Sequence, residues 1–531
     1  MKKRSFILIP FFLIVFSCAQ IVPLSGGDQD LEPPKELGSI PGNGSLHFTG
    51  NEITIEFDEF IQLQNLQSQL IVSPLMDEKP EITVKGKKLV ISLPDSLREN
   101  TTYSLNFGEA ITDITENNPV PNYKYVFSTG DYLDSLSYSG SVVNAFDLTP
   151  PEKMVVLLYD QLEDSVPYLS RPRYVAITDK EGKFSIGNMA AGTYKVFAIN
   201  DINGNYLFDL PNEQIAFLKE PVQVNQNQNN AVLEVFEEES KQQFVLKSEN
   251  KEYSKISMIL NNPAEGIELQ VLSENVPADS WLLEKNKTED SLTLWLTRPL
   301  GIDRLELELR DREKVIDTLD ISLLSDKKWD EKSLPVLTNC SKIFDLNKAL
   351  QIRSGRPVKV AHPELIQLFE DSTAVSIDVR SVNELNSVFQ LNYSFKEQTR
   401  YKLMIPKGTF RDHFGLYNDT IQVDFTSKAS SDYGTIALTV EPNFNENYIV
   451  QLYKNKQRVE QQFLQGQAAI NYKYLKPGNY ELKLIVDSNN DKKWTTGQYL
   501  EHRQPEKVYY YEKQIVLKAN WDNEINWIIK D

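Results

Sequence analysis

Two short segments carry oxygen-bearing side chains at alternating positions, the spacing at which calcium loops present their ligands. The two sets are Asp201, Asn203, Asn205 and Asp209, and Asp487, Asn489, Asp491 and Thr495. Calcium prefers such hard oxygen ligands at positions 1, 3, 5 and 9 of a loop. Neither segment is an EF-hand, because both lack glycine at position 6 and glutamate at position 12. The same side chains could instead cap their own turns by Asx hydrogen bonds. Two hypotheses therefore stay open: a pair of calcium sites and a pair of hydrogen-bonded turns.

Catalytic signatures are missing from the sequence. No two of the four histidines stand at metal-ligand spacing, and no Ser-His-Asp arrangement, nucleophile elbow or glycine-rich phosphate loop is present. Paired carboxylates could serve a glycosidase, but 75 acidic residues make their mere presence uninformative. We expect a protein that is not an enzyme, with a glycan-processing enzyme as the alternative.

Exposed tryptophans are the other candidates for recognition, because aromatic rings form sugar platforms and protein hot spots. All six tryptophans lie in the second half of the chain. Trp295 stands in an alternating strand and Trp527 among isoleucines, so we expect both to be core residues. Trp494 and Trp521 stand beside polar residues and are the predicted recognition aromatics.

The N-terminus is predicted to be an export signal. Three basic residues precede an apolar stretch, residues 6–16, that is too short to span a ~30 Å hydrocarbon core as a helix. The stretch ends in Val15-Phe16-Ser17-Cys18, which resembles the lipobox of bacterial lipoproteins. The resemblance implies cleavage of residues 1–17, acylation of Cys18 and attachment of a tether, residues 18–32, to a membrane. Ala19, rather than aspartate, follows Cys18, which in such lipoproteins implies the outer membrane.

Length and composition indicate what kind of protein positions these residues. A chain of 531 residues is long enough for several domains, and 40% hydrophobic with 25% charged residues is typical of globular proteins. The net charge is −19, and removal of residues 1–17 would leave −22. The electrostatic field of so large a negative charge repels phosphate backbones, so we expect no nucleic-acid partner. With Cys18 lipidated, Cys340 has no disulfide partner, and we expect it to be a small buried hydrophobe.

Alternating apolar and polar residues predict an all-β protein. The first such segment, residues 33–131, contains Pro33-Pro34, Ile53-Thr-Ile55-Glu-Phe57, Asn100-Thr-Thr-Tyr103, Asp113 and Phe127-Ser-Thr129. These motifs resemble SbsA-type bacterial Ig-like domains. Residues 334–428 are predicted to be a second, degenerate copy, because the spacing from Tyr401 to Phe425 equals that from Tyr103 to Phe127.

A second repeat follows each Ig-like segment. Gly140 and Leu158 recur 294 residues later, whereas Gly192 and Asp201 recur 286 residues later, so the first copy has eight extra residues, placed within 161–173. These segments, residues 136–224 and 432–531, resemble prealbumin-like, carboxypeptidase-regulatory-like β-sandwiches. Residues 231–330 are predicted to be a β domain of no recognised family. The fold class is therefore tandem β-sandwiches joined by short linkers.

Taken together, the chain resembles Ig-like outer-membrane lipoproteins of Bacteroidota. The resemblance implies a lipid-anchored binding, adhesion or scaffolding module, on the cell surface rather than the periplasmic face, with a protein or glycan partner that the sequence does not name. An accessory subunit of an outer-membrane protein complex is the alternative of the same class.

Overall fold

The computed structural model describes residues 30–240, 242–264, 266–286, 288–325 and 331–530. The predicted signal peptide, Cys18, Trp329 and most of the predicted tether lie outside them. In the described ranges the chain forms 43 strands, β1 to β43, and two one-turn α-helices, α1 (Leu66–Gln69) and α2 (Val166–Leu169). Short 3₁₀ helices occur at Ala278–Ser280, Pro363–Leu365, Ser430–Asp432 and Tyr499–Glu501. The predicted fold class, all-β tandem sandwiches, is confirmed. None of the helices in these ranges has the length and apolar character needed to cross a membrane.

Unit 1 is a sandwich in which a four-stranded sheet, β1-β2-β6-β5, faces the three-stranded sheet β4-β7-β9, with β3 and β8 paired at one end. The alternating sequence of β2 explains this packing, since Ile53, Ile55 and Phe57 are fully buried while Glu52 and Glu56 face water and Thr54 is half-buried. Its strands are β1 (Glu36–Ile40), β2 (Glu52–Phe57), β3 (Ile61–Leu63), β4 (Ile71–Ser73), β5 (Glu81–Lys85), β6 (Lys88–Ser92), β7 (Thr102–Asn106), β8 (Ile111–Asp113) and β9 (Lys124–Ser128).

Unit 2 is a larger sandwich whose strands run in the order β12-β11-β14-β15-β17-β10-β13, with β16 added beside β14. Strand β10 pairs in parallel with β17 and antiparallel with β13. A Cβ on Gly140 of β10 would lie 2.0 Å from the carbonyl oxygen of Ala231, so only glycine permits this close approach. Its strands are β10 (Leu136–Asn144), β11 (Val155–Tyr159), β12 (Tyr174–Ile177), β13 (Lys183–Met189), β14 (Gly192–Ile199), β15 (Gln214–Phe217), β16 (Val222–Val224) and β17 (Gln228–Glu237).

Strand β17 lies outside the predicted range of this unit, 136–224. Its residues 231–237 lie in the range predicted to be the following domain, 231–330. The structure instead pairs β17 with β10 and β15, so these residues complete unit 2. The polar residues 225–227 form the turn between β16 and β17 rather than a linker.

Unit 3 is a sandwich of a four-stranded sheet, β18-β19-β22-β21, and a three-stranded sheet, β20-β23-β24. Trp295 of β22 is 7% exposed, as its alternating strand predicted. The strands are β18 (Val245–Glu252), β19 (Lys255–Leu260), β20 (Ile267–Val271), β21 (Trp281–Lys285), β22 (Ser291–Leu296), β23 (Arg304–Asp311) and β24 (Lys314–Ser322).

Unit 4 has the strand pairing of unit 1. The sheet β25-β27-β32-β31 corresponds to β1-β2-β6-β5, and the pair β28-β34 corresponds to β3-β8. The stacked rings of Tyr401 and Phe425, 5.4 Å apart, reproduce the stacked pair Tyr103 and Phe127, also 5.4 Å apart. The strands are β25 (Val336–Thr338), β26 (Ile343–Phe344), β27 (Leu350–Ser354), β28 (Val358–Ala361), β29 (Gln367–Glu370), β30 (Thr373–Val375), β31 (Asp378–Ser381), β32 (Val388–Asn392), β33 (Arg400–Ile405), β34 (Phe410–Asp412) and β35 (Ile421–Ser427).

Unit 5 has the strand pairing of unit 2 apart from the β15-β17 pair, with the parallel pair β36-β43 in the place of β10-β17. Gly434 at the start of β36, like Gly140, lies close to neighbouring backbone, since a Cβ added to it would lie 2.7 Å from the Lys518 carbonyl oxygen. The extra residues of unit 2 between β11 and β12 include α2, and only Asn455 and Lys456 connect the corresponding strands of unit 5. The strands are β36 (Gly434–Glu441), β37 (Asn447–Lys454), β38 (Gln457–Gln465), β39 (Ala468–Leu475), β40 (Gly478–Asp487), β41 (Val508–Tyr510), β42 (Ile515–Leu517) and β43 (Asp522–Ile528).

Neighbouring units touch along the chain, and unit 5 also returns to unit 2. The Leu75 amide of unit 1 donates to the Arg173 carbonyl of unit 2, and Asp345 of unit 4 pairs with Lys476 of unit 5 at 2.7 Å. Tyr499 of unit 5 belongs to a hydrophobic cluster built on the outer face of unit 2. The chain therefore folds back on itself through units 3 and 4 rather than extending as a stalk.

Candidate functional site

The first Asp/Asn loop lies between β14 and β15 and is closed by its own hydrogen bonds. The two carboxylate oxygens of Asp201 accept from the amides of Gly204, Asn205 and Tyr206, at 2.9 to 3.1 Å. The side-chain amides of Asn203 and Asn205 both donate to the carboxylate of Asp209, at 3.1 and 2.8 Å. These contacts are those of an Asx turn, in which side-chain oxygens replace missing backbone partners.

The second loop, between β40 and β41, repeats this arrangement. Asp487 accepts from the amides of Asp491 and Lys492, at 3.0 and 3.1 Å. The side-chain amide of Asn489 donates to Asp491 and to Thr495, and the Thr495 hydroxyl donates to Asp491. The structure thus brings together all four predicted residues of each loop, with their oxygens directed at amide and hydroxyl donors.

A buried glutamate that the sequence analysis missed anchors each loop. Glu213 is 1% exposed and accepts from the amides of Ile202, Asp209 and Leu210. In unit 5 the corresponding residue is Glu506, whose pKa is raised mainly by burial. No three histidine, cysteine, aspartate or glutamate side chains in the described ranges are grouped so that they could hold a metal. Calcium binding by the two loops stays a prediction.

The loop between β40 and β41, which carries the second Asp/Asn set, continues into a contact with unit 2. Its Tyr499 is 2% exposed and packs edge-on against Phe197 and Phe217, with ring centroids 5.2 and 5.0 Å apart. Phe197 and Phe217 lie on the outer face of the unit 2 sheet. Burial raises the pKa of the Tyr499 phenol, and its hydroxyl has no hydrogen-bond partner among the described residues. The Tyr499 side chain is therefore held by ring packing and not by a hydrogen bond of its hydroxyl.

Polar contacts surround this aromatic centre. The carboxylate of Glu238, just after β17, accepts from the Tyr499 amide at 2.6 Å and from the Gln498 side chain at 2.8 Å. The Thr496 hydroxyl donates to the Glu237 carbonyl at 2.7 Å. At the opposite side, His502 lies 3.2 Å from Asp164, in the segment that is extra in unit 2. A salt bridge to Lys195, with a further contribution from His502, holds the pKa of Asp164 below its usual range.

A second aromatic contact runs in the opposite direction, from unit 2 to unit 5. Phe146, in the loop between β10 and β11, packs edge-on against Trp494 at 5.1 Å. The same ring covers the ammonium of Lys483, which lies 3.0 Å from the ring centroid. Lys483 is 1% exposed, and burial lowers its pKa to about 8. Each unit thus inserts an aromatic side chain onto the outer sheet face of the other.

The two predicted recognition tryptophans have different surroundings. Trp494 is half-buried, donates its indole N–H to the Glu506 carbonyl at 2.9 Å and packs against Phe146, so it belongs to the contact between units. Trp521 is 51% exposed, and the ammonium of Lys518 lies 4.5 Å from its ring. Only Trp521 of this pair presents a ring to solvent.

The remaining reactive side chains are dispersed. The histidines that lack metal-ligand spacing are His47, His362, His413 and His502, and the first, second and fourth of these contact single carboxylates. Cys340 packs half-buried against the unit 4 core, where burial raises its pKa to about 12. A thiol with this pKa is a poor nucleophile at neutral pH, in agreement with the predicted hydrophobic role.

Sequence reasoning missed Phe146, Lys483 and Tyr499, although one signal was present. Strand β11 reads Val-Val-Leu-Leu-Tyr, and all five residues are buried. A run of this kind indicates a strand that is covered on both faces, whereas a strand with one face in water alternates. The run could have revealed that the outer face of unit 2 has a partner, but not which one.

Residues 30–129 match the family model of the bacterial Ig-like domain. This range covers unit 1, and the chain as a whole is an array of tandem β-sandwiches. No curated protein has a sequence that matches this chain. Solved structures that it resembles include the S-layer protein rSbsC(31-844), at 11% identity and a TM-score of 0.14, covering 92% of this chain and 67% of that one. The Bacillus anthracis TIE protein matches at 11% identity and a TM-score of 0.14, covering 96% and 76%. The I-band fragment I67-I69 from titin matches at 11% identity and a TM-score of 0.13, covering 55% and 100%.

The family match and the strand pairing define a class: a multi-unit protein that contains a bacterial Ig-like domain. The family match does not indicate an enzyme family.

Proposed function

We propose that this protein is a lipid-anchored outer-membrane scaffold, which is not an enzyme and which binds a protein or glycan partner at the cell surface. The observation that carries the proposal is the packing of unit 5 on unit 2. Interfaces between domains of one chain usually allow relative motion unless they are hydrophobic and large. Here two aromatic insertions, Tyr499 into unit 2 and Phe146 onto unit 5, hold the first and last of four consecutive sandwiches together. Such closure suits a scaffold that presents surfaces at fixed distances.

The membrane anchor is supported by the motif Val15-Phe16-Ser17-Cys18 alone. Several acyl chains, at about 0.8 kcal/mol for each buried methylene, hold a protein on a bilayer. The variant Cys18→Ser should therefore move the protein from the membrane fraction to the soluble fraction. Cys340→Ser is the matched control, because it replaces the other of the two cysteines. This variant should leave the fractionation unchanged. Membrane retention of Cys18→Ser would refute the anchor.

The exposed face around Trp521 is the surface we assign to partner binding. Its ring is half exposed and carries a neighbouring cation, Lys518, a combination suited to aromatic stacking and to carboxylate recognition. The test is affinity purification from detergent-solubilised envelopes with the native chain and with Trp521→Ala. Tyr417→Ala is the control, since it removes another exposed aromatic beside a cation, in unit 4.

We expect Trp521→Ala to lose the bound partner and Tyr417→Ala to retain it. Recovery of the same partner by both variants would show that the Trp521 face is not the binding surface. Stable co-purification of an integral barrel would identify the partner as a membrane complex and make this protein its accessory subunit. Turnover of a glycan by the purified chain would overturn the proposal that it is not an enzyme.

A further inference from the structure

A cleft of about 380 Å³ opens where unit 1 meets unit 2. One wall comes from α1 and the segment after β4 in unit 1, and the other from the loops of unit 2. The side chains that define it are Leu66, Leu70, Leu75, Met76, Arg171 and Tyr206. Its volume lies at the lower end of the range for small-molecule sites, about 300–1,000 Å³.

The cleft is built from elements that the second pair of units lacks. Helix α1 of unit 1 is replaced in unit 4 by the single 3₁₀ turn Pro363–Leu365, and the Arg171 segment of unit 2 is replaced in unit 5 by a two-residue turn. Units 4 and 5 share the strand pairing of units 1 and 2, so the fold itself does not require these additions. The additions create the cleft.

Contacts between the two walls hold the cleft open in a fixed shape. The guanidinium of Arg171 donates to the Asp77 carbonyl at 3.1 Å, and the Leu75 amide donates to the Arg173 carbonyl at 2.9 Å. At the far side of the junction, Lys124 donates to the Asn188 side chain at 2.5 Å. A site whose walls are already joined by hydrogen bonds needs little reorganisation to accept a ligand.

The chemistry of the lining is amphipathic. Much of the lining is aliphatic, and it also includes three exposed charged residues, Arg171, Lys79 and Glu78. In the described ranges neither cation pairs with a carboxylate, since the one hydrogen bond of the Arg171 side chain goes to a backbone carbonyl. A guanidinium and an ammonium next to an apolar groove match a ligand with one anionic head and one hydrocarbon chain.

We propose that this cleft binds a fatty-acid-like anion, with its hydrocarbon chain along Leu70 and Met76 and its carboxylate at Arg171 and Lys79. The ligand that supplies this hydrocarbon chain is either a free carboxylate or an anionic membrane lipid. The assay is titration of the full mature chain with laurate below its micelle concentration, followed by calorimetry. Dodecyltrimethylammonium serves as the ligand control, because it has the same chain with the opposite charge.

Saturable binding of one laurate, without binding of dodecyltrimethylammonium, is the expected result. Arg171→Gln should weaken laurate binding about tenfold or more, because a charge-assisted hydrogen bond is lost. Arg353→Gln is the matched control, as Arg353 is an exposed arginine of unit 4 with a single side-chain partner, Gln351. Leu70→Trp should fill the groove and abolish binding while leaving the Arg171 contact intact.

Two further measurements complete the test. If phosphatidylglycerol vesicles compete with laurate, the natural ligand is a membrane lipid. If laurate binds and the vesicles do not compete, the natural ligand is a free fatty-acid carboxylate. Equal affinity for the cationic detergent, equal affinity of the Arg171→Gln variant, or the absence of saturable laurate binding would each overturn the proposal.

Discussion

Tyr499 is the side chain whose removal tests most directly how unit 5 is held on unit 2. Its ring is 2% exposed and contacts Phe197 and Phe217 of the other unit. A buried aromatic side chain covers about 150–250 Å², which at about 25 cal/mol per Å² corresponds to roughly 4–6 kcal/mol. Truncation of buried aromatic residues to alanine costs about 3–5 kcal/mol in practice. We expect Tyr499→Ala to weaken the contact between units by about this amount.

Tyr499→Phe supplies the matched control. The hydroxyl of Tyr499 is buried without a hydrogen-bond partner among the described residues. Removing an unsatisfied buried hydroxyl removes a desolvation penalty, so this variant should be as stable as the native chain or more stable. The pair of variants separates the contribution of ring packing from that of the polar atom.

Urea unfolding together with small-angle X-ray scattering measures both effects. A multi-unit chain need not unfold in one step, so the contact should be followed as an increase in radius of gyration at low urea, before the sheets unfold. Tyr499→Ala should expand at lower urea than the native chain, and Tyr499→Phe should not. Native behaviour of Tyr499→Ala, or equal damage by both variants, would show that ring packing does not hold the units together.

Three further predictions concern the same region. Lys483 is buried with a pKa of about 8 against an ordinary 10.5, so the folded chain binds fewer protons than the unfolded chain between these pH values. The free energy of unfolding should therefore rise from pH 8 to pH 10.5 by up to roughly 3 kcal/mol in urea titrations. Lys483→Met should remove that rise. If the variant shows the same dependence of unfolding free energy on pH as the native chain, Lys483 is not its cause. A Cβ on Gly497 would lie 2.4 Å from Cζ of the buried Phe236, so Gly497→Ala should lower the unfolding free energy of the contact by about 1–3 kcal/mol. Gly38→Ala in unit 1 is the control, because a Cβ on Gly38 would meet no atom within 4 Å and its φ is not positive, so this variant should leave the contact unchanged. The two hypotheses for the Asp/Asn loops predict different melting temperatures. Hydrogen-bonded turns, whose carboxylates are already satisfied, give equal values in excess calcium and in chelator, whereas calcium sites give a higher value with calcium.

The sequence predicts the sheets well and their assembly poorly, for a physical reason. Alternation within strands such as β2 reports which face is buried, and the equal spacing of Tyr103–Phe127 and Tyr401–Phe425 reports a repeated hairpin, because both are local properties. Boundaries depend on pairing between distant strands. The residues of β17 follow a polar stretch that resembles a linker, yet their parallel pairing with β10 places them in unit 2.

The candidate site was predictable only in part for the same reason. The two Asp/Asn loops were found by spacing, since each loop forms its hydrogen bonds within a few residues. Tyr499 and Phe146 carry no local signature, because their partners lie far away along the chain. Trp494 stands beside polar residues in the sequence but packs against Phe146 in space, so neighbours in sequence misreport its exposure.

The contact between units 2 and 5 joins two copies of one sandwich, yet it does not use equivalent positions. Phe197 of unit 2, which receives Tyr499, corresponds to Lys483 of unit 5, which lies beneath Phe146. The loop of unit 5 that corresponds to the Phe146 loop carries Phe444, whose ring packs within unit 5 against Tyr448 and Tyr509. Symmetric contacts use the same patch on both partners, whereas contacts between different patches can propagate from copy to copy. Here each copy supplies one inserted aromatic side chain and one receiving face, and the two insertions contact each other's unit. Two different patches of the repeated sandwich are therefore both occupied within a single chain.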